Sequence, residues 1–378
     1  MDWTYTQPVR ILFGEGRVAE LAQVVRAVGG TRGMLVSTPH FARNGYADNL
    51  VATSEGLLTS VFSDLSPNPD VTEVDACASA LREAGCDCVV ALGGGSALDL
   101  AKAAASMAVC GTSIREFHGT GVAVPPEHLP LIAIPTTAGT GSEVTCVSVL
   151  SDHAAGRKAP INADGFYPAV AIVDPRLTWS MPPHVTACTG IDVLCHAIEG
   201  YWSRGHQPIC DALAIHAARL VFRHLESAVL DGEDAAAREG MAEASVIAGL
   251  AFTLPKTTSS HACSFPLTNI YGIPHGEACG LTLDWFCRVN ADAQGGRVQA
   301  LAHDLGCADA EELAERIAEL KRAVGLRVGL ADLALTDGQI AELVRLSHHP
   351  NLDNNPVAIT DEMLDEMYRA LASTGRLA

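Results

Sequence analysis

Aromatic residues are scarce in this chain: Phe, Trp and Tyr together make up 5% of its 378 residues. Cationic side chains are few as well, with 25 Lys and Arg against 44 Asp and Glu and a net charge of −19. That balance argues against a nucleic-acid or anionic-membrane surface, because both recruit clustered cations. No run reaches transmembrane length free of charge. The opening MDWTYTQPVR lacks the pattern of a secretory signal. The expected location is the cytoplasm, with no membrane or nucleic-acid partner. Internal repeats, linkers and low-complexity tracts are also missing. Twelve cysteines are present, yet only Cys86 and Cys88 form a close pair, and no CxxC has zinc-finger spacing. They read as reduced, mostly buried thiols rather than a disulfide framework.

What remains is an ordinary globular composition, 48% hydrophobic and 18% charged, with no signature of disorder. The length suggests two domains. In the first half, short apolar runs alternate with helical stretches. An extended start at Val9–Phe13 precedes a helix at about Val18–Val28. A buried strand follows at Met34-Leu35-Val36, then an extended run beginning at Val61-Phe62. A helix at about Thr72–Ala84 leads to a strand at Cys88–Leu92. Further strands are expected at Leu131–Ile134 and Val170–Val173. This alternation predicts βαβ units around a parallel sheet. Beyond Met181-Pro182-Pro183 only helical patterns appear: 206–225, 235–250, 310–324, 337–347 and 361–372. The expected border lies near 180, with an α/β domain over 1–180, an all-helical domain over 181–378, and the active site in the cleft between them.

Two loops in the α/β half carry chemistry. Gly93-Gly94-Gly95-Ser96 joins the strand ending at Leu92 to a helix beginning Ala97-Leu98-Asp99. A glycine turn at a helix N-terminus can cradle a phosphate through backbone amides and the helix dipole. A tight strand–helix turn would look the same, and Asp99 could serve only the helix dipole. The second loop, Pro135-Thr136-Thr137-Ala138-Gly139-Thr140-Gly141-Ser142, offers small hydroxyls at a strand's carboxyl end, which suits a diphosphate and ribose. Two such loops on neighbouring units favour a dinucleotide.

The helical half supplies GIDVLCHAIEG at 190–200. Asp192 and His196 are four apart, hence on one helix face, within an apolar stretch. A buried carboxylate needs a partner or a metal. The pair is either half of a divalent metal site or an Asp–His hydrogen bond in a helical core. His261 and His275 bracket HACSFPLTNIYGIPHG, a segment expected to bend as a helix–loop element. With them the set becomes one carboxylate and three imidazoles, suited to Fe²⁺, Zn²⁺, Co²⁺ or Ni²⁺. Cys195, Cys263 and Cys279 lie near these histidines, but a thiolate ligand is not needed.

These four segments, GGGSALDLAK (93–102), PTTAGTGSEVT (135–145), GIDVLCHAIEG and HACSFPLTNIYGIPHG, resemble in order and spacing the iron-containing alcohol dehydrogenase family. The resemblance implies an N-terminal nucleotide-binding α/β domain and a helical C-terminal domain, the dehydroquinate synthase-like fold. It implies metal ligands at Asp192, His196, His261 and His275, with Fe²⁺ foremost and Zn²⁺, Co²⁺, Ni²⁺ or Mn²⁺ as alternatives. Pyrophosphate contacts would fall on Gly94, Gly95, Ser96, Thr136, Thr137 and Thr140, with Asp99 and Ser142 beside them. Asn68 and Lys158 match positions that commonly touch the cofactor. The implied activity is hydride transfer between NAD or NADP and a small aldehyde or alcohol, and the implied assembly is a homodimer.

Three features depart from, or add to, that pattern. Phe265 stands where many members carry a proton-relaying histidine. Thr38 stands where NAD-specific members place an acid, so nothing there repels a 2′-phosphate, and His40 or Arg43 could approach one. Lys256-Thr257-Thr258-Ser259-Ser260 puts a cation and four hydroxyls directly before His261, which suits an anionic substrate group. That pattern resembles members acting on phosphonoacetaldehyde or sulfoacetaldehyde. A reductase of an unsubstituted short-chain aldehyde is the simpler alternative. A dehydroquinate synthase-like lyase would need a strongly basic pocket, and lysines and arginines near the metal segments are few.

Overall fold

The apolar runs of the first half become the centre of a parallel sheet. In the computed structural model, which describes residues 2–375, the strands in chain order are β1 (Arg10–Phe13), β2 (Gly33–Ser37), β3 (Leu58–Phe62), β4 (Cys88–Gly93), β5 (Leu131–Pro135), β6 (Val147–Asp152), β7 (Arg157–Asn162) and β8 (Val170–Val173). Six of them pair in the order β1-β8-β5-β4-β2-β3, every pairing parallel. Every residue of β2, β4, β5 and β8 is buried. Parallel strands covered on both faces read as unbroken apolar runs for this reason. Alternate side chains supply two cores. Met34, Val36, Val89, Ala91, Leu131 and Ala133 meet α2 (Val71–Glu83) and α3 (Gly95–Cys110). Leu35, Val90, Leu92, Ile132 and Ile134 share the other core with Leu21, Val24 and Val25 of a helix at Leu21–Ala27, α1.

Several elements differ from expectation. The first helical turn, Arg17–Glu20, is 3₁₀, and α1 proper begins at Leu21. The extended run expected to begin at Val61 instead ends there, because β3 is a sheet edge with alternating exposure. Its polar Thr59 and Ser60 hid it. The antiparallel β6–β7 hairpin escaped notice too. Its second strand, RKAPIN, is largely exposed and contains Pro160, so it carries little apolar signal.

From Trp179 onward the described residues form helices and no strand. The principal ones are α4 (Pro183–Trp202), α5 (Pro208–Leu230), α6 (Ala235–Phe252), α7 (Ser259–Tyr271), α8 (His275–Val289), α9 (Ala310–Ala323), α10 (Asp337–Leu346) and α11 (Asp361–Ser373). Every residue from Gly190 to Trp202 is buried, which marks α4 as the central helix. Helix α7 runs through Pro266 and stops at Gly272, whose φ is 67°. The expected bend therefore lies at 272–274, and α8 starts at His275 itself.

Two compact units result. One comprises Thr6–Thr137 with Gly141–Thr178. The other comprises Ala138–Thr140, residues 2–5 and the described residues from Trp179 onward. No helix among the described residues is long and apolar enough to cross a membrane.

Candidate active site

In the sheet unit, β2 pairs with β3 on one side and β4 on the other. The strand order therefore reverses between β2 and β4, and ligands of open α/β sheets bind outside the carboxyl ends at such a point. Thr38 follows β2 there, and Gly94 follows β4. Helix α3 has Gly94 as its N-cap residue and no side-chain cap, so its first amides remain available to an anion. A Cβ at Gly94 would sit 3.1 Å from Thr137 Cγ2, so the bare glycine lets the two loops approach closely. The Thr136 amide donates to Gly93 O at 3.0 Å. Across the turn, the Asn68 amide donates to Ser96 Oγ at 3.2 Å, and Lys158 Nζ donates to Asn68 Oδ1 at 2.9 Å. Asn68 holds a left-handed φ of 57°, an arrangement asparagine tolerates. Asn68, Ser96 and Lys158 are thus linked directly, with Gly94 against Thr137 and Thr38 and Gly95 adjoining the ends of β2 and β4. Thr140 belongs to the other unit.

Asp99 and Ser142 are turned to a different task. Ser142 Oγ donates to Asp99 Oδ1 at 2.6 Å, and the Val149 amide donates to Asp99 Oδ2 at 2.9 Å. The fully buried Lys102 donates to Ser142 Oγ at 2.7 Å, to Val147 O at 2.8 Å and to Thr145 Oγ1 at 3.3 Å. Burial pushes the Lys102 ammonium down to about 8 against the pull of Asp99. This network ties the second loop and β6 to α3 and occupies both Asp99 oxygens.

In the helical unit, α4, α7 and α8 bring three of the four predicted ligands together with Cys279. One atom each of Asp192, His261, His275 and Cys279 lies within 4.8 Å of the others. His196 stands beside them, its ring stacked between Phe252 at 4.1 Å and His261 at 4.8 Å between centroids. His196 Nε2 is 3.9 Å from Asp192 Oδ1, and His261 Nε2 is 3.6 Å from it. Both exceed hydrogen-bond length, so the Asp–His hydrogen bond that was the alternative is not formed. Asp192 Oδ1 and His261 Nε2, 3.6 Å apart, are both buried with no hydrogen-bond partner, and His196 turns its Nε2 toward the same carboxylate oxygen. Converging lone pairs of this kind are costly alone and are relieved by a cation. The residues present therefore fit a divalent metal.

The buried charges act on one another: burial lowers the His261 imidazole, but Glu199 and Asp192 outweigh it and raise the group above its usual value. Burial pushes the Asp192 carboxyl up to about 6, with Glu199 adding to it and His261 opposing. Burial, with His261 and His275, holds the His196 imidazole well below its usual value, so it stays neutral and ready to ligate. Burial and Asp192 hold the Cys279 thiol well above its usual value.

Sequence reasoning missed the group that orients His261. Glu199 Oε2 pairs with His261 Nδ1. Its Oε1 accepts from the amides of Ser260 at 2.7 Å, Thr258 at 3.2 Å and His261 at 3.3 Å, and from Thr258 Oγ1 at 2.8 Å. A carboxylate on Nδ1 leaves the Nε2 lone pair for a metal. The signal was present: Asp192, His196 and Glu199 fall at i, i+4 and i+7, all on one face. Ser264 Oγ plays a lesser part at His275 Nδ1, 3.3 Å away.

The segment before His261 corrects an expectation. Three of its four hydroxyls belong to the scaffold. Thr257 Oγ1 accepts from Asn351 Nδ2 at 2.9 Å, Thr258 Oγ1 accepts from Trp202 Nε1 at 2.7 Å, and Ser259 Oγ donates to Asn355 at 3.0 Å. The run is the buried N-terminus of α7, where hydroxyls satisfy neighbouring donors and acceptors. Only Ser260 Oγ is buried without a partner. Lys256 is exposed and holds a left-handed φ of 67°. Phe265 packs on His275, 6.2 Å between centroids, and on His349 at 4.6 Å. His349, also unanticipated, caps the short helix Pro350–Asp353 through Nδ1.

Comparison with known proteins agrees with this geometry. The family model for iron-containing alcohol dehydrogenases matches residues 8–175, and the model for the C-terminal part of Fe-containing alcohol dehydrogenases matches 186–372. The chain belongs to the iron-containing alcohol dehydrogenase family: it is an oxidoreductase acting on CH–OH groups, with the family's iron and nicotinamide cofactor. It is 33% identical over 369 residues to alcohol dehydrogenase 4 of Schizosaccharomyces pombe, covering 95% of this chain and 86% of that one. A sulfoacetaldehyde reductase of Bilophila wadsworthia is 35% identical over 71% of this chain and 70% of its own. The crystal structure of sulfoacetaldehyde reductase from Bifidobacterium kashiwanohense in complex with NAD⁺ superposes with a TM-score of 0.98 at 61% identity, over 99% of this chain and 100% of that one. The expected family and fold are borne out, and the lyase alternative falls away.

Proposed function

We propose that this enzyme reduces a small anionic aldehyde, with sulfoacetaldehyde as the first candidate and phosphonoacetaldehyde as the second. The observation that carries the choice is the 61% identity, over nearly the whole chain, to a protein described as a sulfoacetaldehyde reductase. In this reading residues 1–180 bind the cofactor and 181–378 hold the metal and substrate. Asp192, His196, His261 and His275 hold Fe²⁺, which when bound supplies Lewis acidity toward a carbonyl oxygen. The nicotinamide supplies the hydride.

The chain's own residues do the rest. Gly94, Gly95 and Ser96 receive the pyrophosphate on the amides of α3, while Thr136, Thr137 and Thr140 border it. Thr38, Asn68 and Lys158 complete the nucleotide site, and Asp99 and Ser142 hold its loops in place. Glu199 fixes the His261 tautomer. Phe265 offers an apolar wall and no proton, so the proton passes through a water, the cofactor ribose or the neighbouring His349. Lys256 is the point charge for the substrate's anionic end. The twelve free thiols fit a reducing cytoplasm, and a homodimer, which sedimentation checks, is the proposed assembly.

The test is a kinetic panel of sulfoacetaldehyde, phosphonoacetaldehyde and acetaldehyde with NADH and NADPH, on wild type and Lys256→Ala. The expected result is the highest kcat/KM for sulfoacetaldehyde, falling at least ~10-fold in the variant as one charged contact is lost, with acetaldehyde little changed. Equal losses on charged and neutral aldehydes would remove Lys256 from substrate recognition. Acetaldehyde as the best substrate of the wild type would overturn the anionic reading itself.

A further inference from the structure

A second set of metal-type donors lies away from the catalytic four. His184 and Cys188 are one turn apart on α4, hence on one face. Glu277 sits in the first turn of α8. One ligand atom of each lies within 4.8 Å of the others. His184 Nε2 is 3.6 Å from Cys188 Sγ and 3.8 Å from Glu277 Oε2.

Those spacings are informative. A tetrahedral Zn²⁺ with N at about 2.0–2.1 Å and S at about 2.3 Å separates N from S by roughly 3.6 Å and N from O by roughly 3.4 Å. The Nε2 distances lie within a few tenths of an ångström of both edges, but Sγ is also 4.0 Å from His184 Nδ1, beside the ring, so the exposed imidazole must turn to aim a nitrogen at a shared ion. A direct His–Glu ion pair would instead close to about 2.7–2.9 Å, and this pair does not. The carboxylate is also held in place. Glu277 Oε1 accepts from the Arg327 amide at 2.9 Å, leaving Oε2 for His184. Fixing a ligand by such a partner is characteristic of metal sites. Cys188 and Glu277 are buried, whereas the His184 side chain is 53% exposed, so a cation has a way in from solvent.

We propose that His184, Cys188 and Glu277 form a second cation site that takes a thiophilic divalent ion, Zn²⁺ above all. On binding, the Cys188 thiol releases its proton to solvent and a metal–thiolate bond forms, with no change of oxidation state. Three protein ligands leave the fourth position for water. One thiolate, one imidazole and one carboxylate suit Zn²⁺ or Co²⁺ better than Mg²⁺ or Ca²⁺. The site shares no residue with the catalytic set. It bridges the same two helices, however: Cys188 lies one turn before Asp192 on α4, and Glu277 lies two residues after His275 on α8. A cation there pins that helix pair together.

The test uses the iron-loaded enzyme, equilibrated anaerobically with Co²⁺ as probe. Bound cobalt is counted per chain, and the thiolate-to-Co²⁺ charge-transfer band is recorded in the near ultraviolet. The expected result is one equivalent of cobalt beyond the catalytic iron, with a thiolate band. Both disappear in Cys188→Ser and in the surface variant His184→Ala, while iron content holds. A Cys279→Ser variant controls for cobalt entering the catalytic set. Three results would overturn the proposal: no second equivalent, a second equivalent that survives His184→Ala, or a band lost in Cys279→Ser and kept in Cys188→Ser.

Discussion

Replacing Glu199 with Gln isolates the oriented imidazole at the heart of the site. The substitution keeps shape and removes charge. Three backbone amides and the Thr258 hydroxyl point at Glu199 Oε1, so the new amide must keep its oxygen there. Its NH₂ then faces His261 Nδ1 and donates to it. The imidazole proton moves to Nε2, the atom that stands 3.6 Å from Asp192 Oδ1, and a protonated Nε2 cannot ligate. Loss of such an orienting partner costs ~10- to 100-fold in metal affinity, or about 1.4–2.7 kcal/mol. The fold should survive, because the four bonds to Oε1 persist in weaker, uncharged form. That weakening costs about 1–3 kcal/mol in all. The assay is a metal titration of apo-protein, wild type against Glu199→Gln, with circular dichroism to verify folding. A folded variant with wild-type metal affinity would refute the tautomer argument and leave Glu199 as scaffold alone.

Two further substitutions probe the frame around the sites. At Gly276, a Cβ would lie 2.0 Å from Cys188 O and 2.9 Å from Asp192 Cβ, so Gly276→Ala must push α8 off α4. We expect a loss of about 3 kcal/mol in chemical denaturation together with weakened metal binding, and an unchanged denaturation midpoint would contradict the close approach. Asp70 caps α2, accepting from the Thr72 and His153 amides, each at 2.9 Å. Asp70→Ala should cost about 2 kcal/mol at neutral pH. Burial raises the Asp70 carboxyl, but the His153 and Thr72 bonds outweigh it and hold the group below its usual 3.8. A depressed carboxylate stabilises above its unfolded pKa and loses that contribution as pH falls through the folded one. The gap between wild type and variant should therefore shrink in urea titrations below about pH 4, whereas a gap independent of pH would deny the carboxylate its role.

The parts of the molecule legible in its sequence are those where one physical demand dominates. CVVALG followed by GGSALD is readable because a doubly covered strand must be apolar and its turn must lack side chains. The Asp192–His196 spacing is readable because helical geometry alone aligns the two. The β6–β7 hairpin was hidden because an exposed two-stranded ribbon imposes no such pattern. The hydroxyls before His261 were readable as residues but not as roles. Thr257, Thr258 and Ser259 look like substrate contacts until the fold shows them buried against Asn351, Trp202 and Asn355. Asp99 is a similar case. Three residues before Lys102, it turns toward that lysine and Ser142. Glu199 shows the opposite error: its spacing from Asp192 and His196 already put it on the ligand face, and only its partner in α7 was missing.

The central claim is that Asp192, His196, His261 and His275 hold one divalent metal on which aldehyde reduction depends. Protein stripped of metal without oxygen and titrated with Fe²⁺ tests it most directly. The account predicts no reduction in the apo-protein, activity rising linearly to one Fe²⁺ per chain, and neither binding nor activity in Asp192→Ala. Full activity in metal-free protein, or activity restored in Asp192→Ala at the same stoichiometry, would contradict it.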